Sequence, residues 1–203
     1  MSITRERVLD AAITLLGTEG LRALTHTRID AHAGVPKGST SNYFRTRAAV
    51  LEGVVDWMYE VERPSVSAAY SPDTPAEFAR ALTLLFEQMT GPGRVMTTAR
   101  LVLLMEASHD SVVRDALARG RSGMEATIVP AVRRLGAKEP EIAAHALSAC
   151  FEGLFLQKLA RHVDVEAGPI LERVVHAFIE EDGIELGQVG VGAAAGAGGR
   201  EGQ

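Results

Sequence analysis

The segment from Leu24 to Leu51 constrains the fold more than any other feature, because it has the pattern of two short helices joined by a tight turn. Thr25 can cap the first helix through its hydroxyl. Gly34 permits the positive φ that ends this helix, and Pro36 is well placed to start the second. The pattern predicts a helix-turn-helix whose second helix presents small polar side chains.

The polar residues of the second helix are typical of a surface that reads the DNA major groove. Lys37 can reach a guanine edge or a phosphate, and Asn42 suits an adenine edge best. Gly38 has no side chain at a point where backbone and DNA come close. Ser39 and Ser41 are short enough to let the helix approach the bases and can hydrogen-bond to them. We therefore expect double-stranded DNA as the partner of this segment.

The same segment closely resembles the DNA-binding motif of the TetR family of transcriptional regulators. The matching residues are Thr25, Ile29, Ala33, Gly34, Val35, Lys37, Gly38, Tyr43, Phe44, Arg47 and Leu51. By this resemblance, the residues expected to contact DNA phosphates are Thr25, Thr27, Arg28, Tyr43 and Arg47. Two positions depart from the family pattern, since Asp30 replaces a small alanine and Ser41 replaces a common aromatic residue.

The distribution of charge agrees with DNA binding at the N-terminal end. The whole chain has a net charge of −5, but residues 1–50 hold seven Lys and Arg against four Asp and Glu. Residues 51–203 hold 14 basic against 22 acidic residues. A phosphate-facing surface needs local positive potential, and the basic end is the end that contains the motif.

The composition is that of a globular protein, with 46% hydrophobic and 23% charged residues in 203. No signal region opens the chain, and no apolar run reaches the roughly 18 residues that a membrane span requires. Cys150 is the single cysteine, which excludes an internal disulfide and a Cys-based metal site. A cytoplasmic protein without a membrane partner is expected.

Helical periodicity continues after the motif and no convincing strand pattern occurs, so the fold class is predicted as all-α with about nine helices. A first helix from Thr4 to Leu16 should brace the helix-turn-helix. A long fourth helix starts after Thr46 and is expected to end near Glu62, because Pro64 interrupts its pattern. The segment Val95–Met105 is apolar nearly all round, which predicts a helix buried on most sides.

Three regions are predicted along the chain. Residues 1–46 form the DNA-binding domain, and residues 47–182 form a helical domain for ligand binding and dimerisation, as the resemblance implies. Residues 183–203 are rich in Gly and Ala and lack large apolar side chains, which is typical of a flexible tail.

The resemblance also implies a mechanism. The last two helices, Pro140–Leu159 and Pro169–Ile179, would form a homodimer interface. The two recognition helices would then lie about 34–36 Å apart and match a palindromic operator. A small apolar or amphipathic effector in the second domain would release this repressor from DNA.

Aromatic, methionine and charged residues of the second domain are candidates for the effector site. The candidates are Trp57, Phe86, Met89, Arg100, Met105, Met124, Phe151, Glu152 and Phe155. An aromatic or methionine residue at helical spacing is more often part of the core, so both interpretations stay open. Arg100 and Glu152 are more specific candidates, because a buried charge requires a partner.

An enzyme is not expected, because the chain has no Gly-rich phosphate loop, no nucleophile elbow and no pair of catalytic carboxylates. Glu141 and His145 are four residues apart on a helix, but no third metal ligand follows at a suitable spacing. Neither a cofactor nor a metal is predicted. The remaining alternative is a helical small-molecule-binding or scaffold protein without a DNA role, and the motif and the charge distribution argue against it.

Overall fold

The computed structural model describes residues 3–179 of the chain, and within that range the protein is all-α, as predicted. The helices are α1 (Ile3–Glu19), α2 (His26–Ala33), α3 (Ser39–Tyr43), α4 (Arg47–Ala69), α5 (Pro75–Thr90), α6 (Arg94–Glu106), α7 (Ser111–Arg134), α8 (Pro140–Phe155) and α9 (Ala167–Ile179). A 3₁₀ turn (Leu21–Ala23) follows α1, and a π turn (Leu156–Ala160) extends α8. The predicted tail, residues 183–203, lies outside the described residues.

Two hydrophobic cores organise the described helices. The first core is formed by α1, α2, the N-terminal half of α4, α6 and the start of α7. The second core is formed by the end of α4, α5, the second half of α7, α8 and α9. Helix α4 therefore contributes to both cores and connects them, and the first core extends past position 46 into the region that the sequence assigned to the second domain.

Helix α4 is longer than the sequence predicted. It continues through Pro64 to Ala69, seven residues beyond the expected end at Glu62. Pro64 lies on the exposed side of the helix, while Val66 and Ala69 beyond it are buried in the second core. A proline inside a helix costs about 3 kcal/mol, and burial of the apolar residues that follow offsets this cost.

Every residue of helix α6 from Met96 to Leu104 is buried or half-buried, which agrees with the prediction of a helix buried on most sides. Met105, near its end, is 68% exposed. The helix packs against α1, α4, α5 and α7. A Cβ atom on Gly17 of α1 would lie only 2.1 Å from the Val95 carbonyl oxygen, so glycine permits this close approach.

Local capping signals predicted several helix ends correctly. The Thr46 hydroxyl accepts a hydrogen bond from the Ala49 amide, and the Asp110 carboxylate caps α7. At the start of α5, the Thr74 hydroxyl accepts from the Glu77 amide at 3.3 Å and donates to the Glu77 carboxylate at 2.8 Å. These two hydrogen bonds form a capping box.

Candidate functional site

The helix-turn-helix forms as the sequence predicted. The Thr25 hydroxyl caps α2 by accepting from the Arg28 amide, and Gly34 ends α2 in the left-handed region with a φ of 59°. Arg7 of α1 donates to the Ala33 carbonyl at 2.6 Å and to the Gly34 carbonyl at 3.1 Å. The first helix therefore braces the turn directly, through a contact that the sequence did not reveal.

The recognition helix α3 begins later than predicted, at Ser39 and not at Pro36. Pro36, Lys37 and Gly38 form the turn that precedes it. Gly38 has a φ of 93°, which favours glycine and excludes a helical start at this residue. The Ser39 hydroxyl donates to the Pro36 carbonyl at 2.6 Å, so this side chain is engaged within the turn.

A buried carboxylate holds the start of α3. Asp30 of α2 is only 4% exposed, and its Oδ1 accepts from the Thr40 amide at 2.8 Å and the Thr40 hydroxyl at 2.6 Å. Its Oδ2 accepts from the Gly38 amide at 2.7 Å. Burial raises the pKa of this carboxyl, but the hydrogen bonds from Thr40 and Gly38 outweigh burial and the pKa is lowered overall.

The Asp30 cap was not predicted, although the sequence contains a signal for it. An acidic residue replaces the alanine of the family pattern, and Gly38 and Thr40 follow eight and ten residues later. The carboxylate satisfies amides at the start of a helix whose N-cap residue, Gly38, has no side chain to do so. The recognition helix is therefore fixed to α2 by a long-range cap.

The predicted DNA-contacting residues lie together at one end of the molecule. Ser41, Asn42 and Tyr43 are exposed on α3, and Lys37 is exposed in the preceding turn. Exposed positions are also found for Thr25 and Thr27, and Gly38 is partly buried. These side chains surround the exposed face of the recognition helix, which is the arrangement needed for contact with a DNA groove.

Two of the predicted phosphate contacts already have partners within the chain. Arg28 forms an ion pair with Glu19 at 2.6 Å, and Arg47 donates to the Leu21 carbonyl at 3.1 Å. Both arginines are exposed, so these contacts hold the guanidinium groups at the surface without burying them.

A cavity of about 220 Å³ lies between the two cores. Its lining comes from α4, α5, α6, α7 and α8, and includes Tyr59, Arg100 and Leu117 on the side of the first core. Phe151 and Phe155 line it on the side of the second core. A ligand in this space would contact both cores at once.

The structure brings six of the nine predicted ligand-binding residues to this cavity. These six are Met89, Arg100, Met124, Phe151, Glu152 and Phe155. Lining residues that the sequence analysis did not select include Tyr59, Tyr70, Arg121, Glu125 and His145. They are distributed over three helices, and no local motif connects them.

The other three residues predicted to bind the ligand do not line the cavity, so the prediction is wrong for Trp57, Phe86 and Met105. The Trp57 Nε1 donates to the Asp10 carboxylate of α1 at 2.7 Å. Phe86 lies behind the lining, where its ring stacks on Phe155 at a centroid distance of 5.6 Å. Met105 lies near the end of α6 and is 68% exposed to solvent.

An ion pair between Arg100 of α6 and Glu62 of α4 lies at the side of the cavity. Both side chains are only 12% exposed. The Arg100 guanidinium also lies over the Tyr59 ring at 5.7 Å from its centroid. Within the described residues, Arg100 Nε is a fully enclosed nitrogen without a hydrogen-bond partner. The ion pair therefore joins α4, which follows the helix-turn-helix, to α6, which packs against α1.

Other kinds of site were sought in residues 3–179. This part of the chain contains no cluster of three or more His, Cys, Asp or Glu residues that could hold a metal ion. None of its helices is both long and apolar enough to cross a membrane.

Comparison with known families identifies the chain. A family described as "Bacterial regulatory proteins, tetR family" matches residues 8–54. A second, described as "Tetracyclin repressor-like, C-terminal domain", matches residues 73–181, which is more than half of the chain. The chain belongs to the TetR family. It is therefore a ligand-responsive, DNA-binding transcriptional regulator, and TetR-family regulators are generally non-enzymatic.

Individual known proteins resemble the chain along most of its length. The HTH-type transcriptional regulator BetI of Rhizobium meliloti is 24% identical over 186 residues, which cover 89% of this chain and 92% of BetI. A TetR-family regulator from Rhodococcus sp. has a TM-score of 0.76 at 22% identity, and the match covers 88% of this chain and 100% of that one. The multidrug binding protein EbrR, complexed with ethidium, has a TM-score of 0.71 at 25% identity, with 87% of this chain and 98% of EbrR covered.

Proposed function

We propose that this chain is a homodimeric repressor that binds a palindromic operator and leaves it when a small effector occupies the cavity between the two cores. The observation that supports this proposal best is the position of α4. This one helix starts directly after the recognition helix, crosses both cores and lines the cavity.

At the DNA, Lys37, Ser41 and Asn42 are the side chains proposed to reach base edges. All three are exposed, Lys37 in the turn just before α3 and Ser41 and Asn42 on α3 itself, which is the helix that lies in the major groove in helix-turn-helix proteins. The Asp30 cap supports this role, because base recognition requires a helix in a fixed position. The exposed residues around α3, including Thr25, Thr27, Arg28, Tyr43 and Arg47, are proposed to contact phosphates.

The dimer is proposed to form through α8 and α9, and an exposed stripe on α8 supports this. Its members follow a spacing of three and four residues: Ile142, His145, Ala149, Glu152 and Leu156. Ile142 is 54% exposed and Leu156 is 46% exposed. An antiparallel pair of α8 helices crossing at Ala149 places Ile142 against Leu156 of the partner subunit, and the stripe is then complementary to itself.

Release from DNA is proposed to follow from the place of the cavity. An effector that fills the space between the cores favours those arrangements of the two cores in which it fits. Because α4 belongs to both cores, such a change alters the separation of the two recognition helices in the dimer. EbrR is described in complex with ethidium, which supports a small-molecule effector for this chain as well.

The test begins with duplexes that the purified protein selects from a random pool. A dimeric repressor selects a palindrome whose half-site centres are about one helical turn apart. Lys37→Ala and Asn42→Ala are each expected to weaken binding to that palindrome by about tenfold. Arg80→Ala, which removes an exposed cation of α5, serves as the control and should bind normally.

Two outcomes would overturn parts of the proposal. Failure to select any duplex at low ionic strength would contradict DNA binding by this chain. Normal binding by both the Lys37 and Asn42 variants would contradict the assignment of the recognition surface.

A further inference from the structure

One polar group at the apolar end of the cavity has no hydrogen-bond partner among residues 3–179. Tyr70, at the end of α4, lines the cavity and is only 6% exposed. Its ring packs edge-on against Phe78 at a centroid distance of 5.2 Å. Its hydroxyl makes no hydrogen bond within the described residues, and burial alone raises the pKa of this phenol.

The Tyr70 hydroxyl is not fully enclosed by protein. Among the described residues, Arg100 Nε is the fully enclosed side-chain polar atom without a hydrogen bond, so the unpaired Tyr70 oxygen keeps some accessible surface. Because Tyr70 lines the cavity, a molecule bound there can reach this oxygen. A buried hydroxyl without a partner costs about 1–3 kcal/mol, and a ligand that supplies a hydrogen bond removes that cost.

The cavity lining beside the Tyr70 side chain is apolar, and Arg134 contacts only the backbone carbonyl of Tyr70, at 3.1 Å. The neighbouring lining consists of Val66, Leu85, Met89, Ile128, Phe151 and Phe155. Tyr70 follows Glu62, the partner of Arg100, by eight residues on α4, which places Tyr70 about 12 Å along the helix axis from this ion pair.

The charged lining residues lie away from the Tyr70 hydroxyl. Arg100 is paired with Glu62, while Arg121, His145 and Glu152 are exposed and Glu125 is half-buried. None of them acts on the pKa of Tyr70, which burial alone raises. A charge placed at the Tyr70 end would have no counter-charge there and would lose its hydration, which is strongly unfavourable. The apolar end therefore selects an uncharged molecule.

The volume limits the size of that molecule. A cavity of about 150 Å³ holds benzene, and the cavity here has about 220 Å³. One or two fused rings fit this space.

We propose that the effector is a neutral, mainly apolar molecule of one or two rings with one hydrogen-bonding oxygen, and that the Tyr70 hydroxyl binds this oxygen. The inference deepens the proposed function, because it names the chemical class of the effector at the same cavity. Tyr70 acts as the specificity-determining residue, while the aromatic and aliphatic lining provides most of the binding surface.

Four two-ring probes of similar size test the inference by calorimetry on the full chain without DNA. Naphthalene has no polar group, 2-acetylnaphthalene adds a neutral oxygen, 2-naphthoate is an anion and N-methylquinolinium is a cation. We expect 2-acetylnaphthalene to bind about three- to tenfold more tightly than naphthalene, and both ions to bind more weakly than the ketone.

Substitution of the hydroxyl gives the decisive comparison. In Tyr70→Phe, the preference for 2-acetylnaphthalene over naphthalene should disappear, while the affinity for naphthalene is retained and shows that the variant is folded. In the matched variant Tyr59→Phe, which removes the hydroxyl near Arg100, the preference should persist. A preference that survives in Tyr70→Phe, or tightest binding of either ion, would overturn the inference.

Failure of this inference differs from failure of the proposed function. The calorimetry involves no DNA, so its outcome does not depend on repression. A ketone that binds through Tyr70 but leaves the affinity for the selected palindrome unchanged would contradict release by an effector and leave the ligand class intact. A palindrome released only by an ionic probe would support the function and contradict the ligand class.

Discussion

The Asp30 carboxylate accepts hydrogen bonds from both the amide and the hydroxyl of Thr40, at 2.8 and 2.6 Å, inside the DNA-binding end of the molecule. These two residues belong to different helices of the helix-turn-helix. The contact fixes the recognition helix to its neighbour, so the presentation of Ser41 and Asn42 depends on a residue that does not itself face DNA.

Asp30→Ala should destabilise this end of the protein and weaken operator binding together. The substitution leaves the amides of Gly38 and Thr40 and the Thr40 hydroxyl without their acceptor, and hydrogen bonds to a charged group contribute about 1.5–3 kcal/mol. We expect a loss of roughly 3 kcal/mol in the free energy of unfolding, measured by urea titration. Thr40→Val, which removes only the hydroxyl, should lose about 1 kcal/mol, and equal losses in the two variants would contradict the network.

The same carboxylate should make stability depend on pH in the acid range. The pKa of Asp30 is lowered in the folded protein relative to its ordinary value of 3.8. The unfolded chain therefore takes up the proton first, and the contribution of Asp30 is complete above pH 3.8 and is lost as the pH falls through the lower folded pKa. The difference in unfolding free energy between the native protein and Asp30→Asn should therefore be smaller at about pH 3 than at about pH 6. A difference that stays constant over this range would show that the charge is unimportant.

Features set by neighbouring residues could be predicted from the sequence. The cap at Thr25, the start of α4 after Thr46 and the left-handed Gly34 all depend on residues within a few positions, and the structure confirms each of them. The resemblance to the TetR motif depends on similar short spacings, which is why it identified the family correctly.

Features set by contacts between distant segments could not be predicted in this way. Pro64 has a strong local tendency to end α4, yet packing of Val66 and Ala69 in the second core continues the helix. Trp57 was assigned to the ligand site from residue type alone, and its partner, Asp10, is 47 positions away. Six of the selected residues do line the cavity, but the sequence held no information on which face of each helix meets the space between the cores.

Breaking the ion pair between Arg100 and Glu62 should affect stability more than removing it entirely. Arg100→Met leaves the Glu62 carboxylate buried without a partner, and breaking a buried pair costs roughly 3–5 kcal/mol. The double variant Glu62→Gln, Arg100→Met should recover most of this loss. Arg119→Met is the control, because Arg119 and Glu52 form an exposed pair between α7 and α4 whose loss should cost below about 1 kcal/mol. Thermal unfolding distinguishes these outcomes, and equal losses for Arg100→Met and Arg119→Met would contradict the structural importance of the buried pair.

The exposed stripe on α8 leads to a prediction about assembly. Ile142→Glu combined with Leu156→Glu places four like charges in the proposed dimer interface, so sedimentation equilibrium should show a shift from dimer to monomer at micromolar concentration. Met105→Glu, at a residue that is 68% exposed on α6, adds a charge outside the stripe and should leave the dimer intact. Because two linked half-sites bind far more tightly than one, the monomeric variant should lose most of its affinity for the palindrome and keep the affinity for a single half-site. A double variant that remains dimeric would exclude this face of α8 from the interface, and dissociation by Met105→Glu would place the interface on α6 instead.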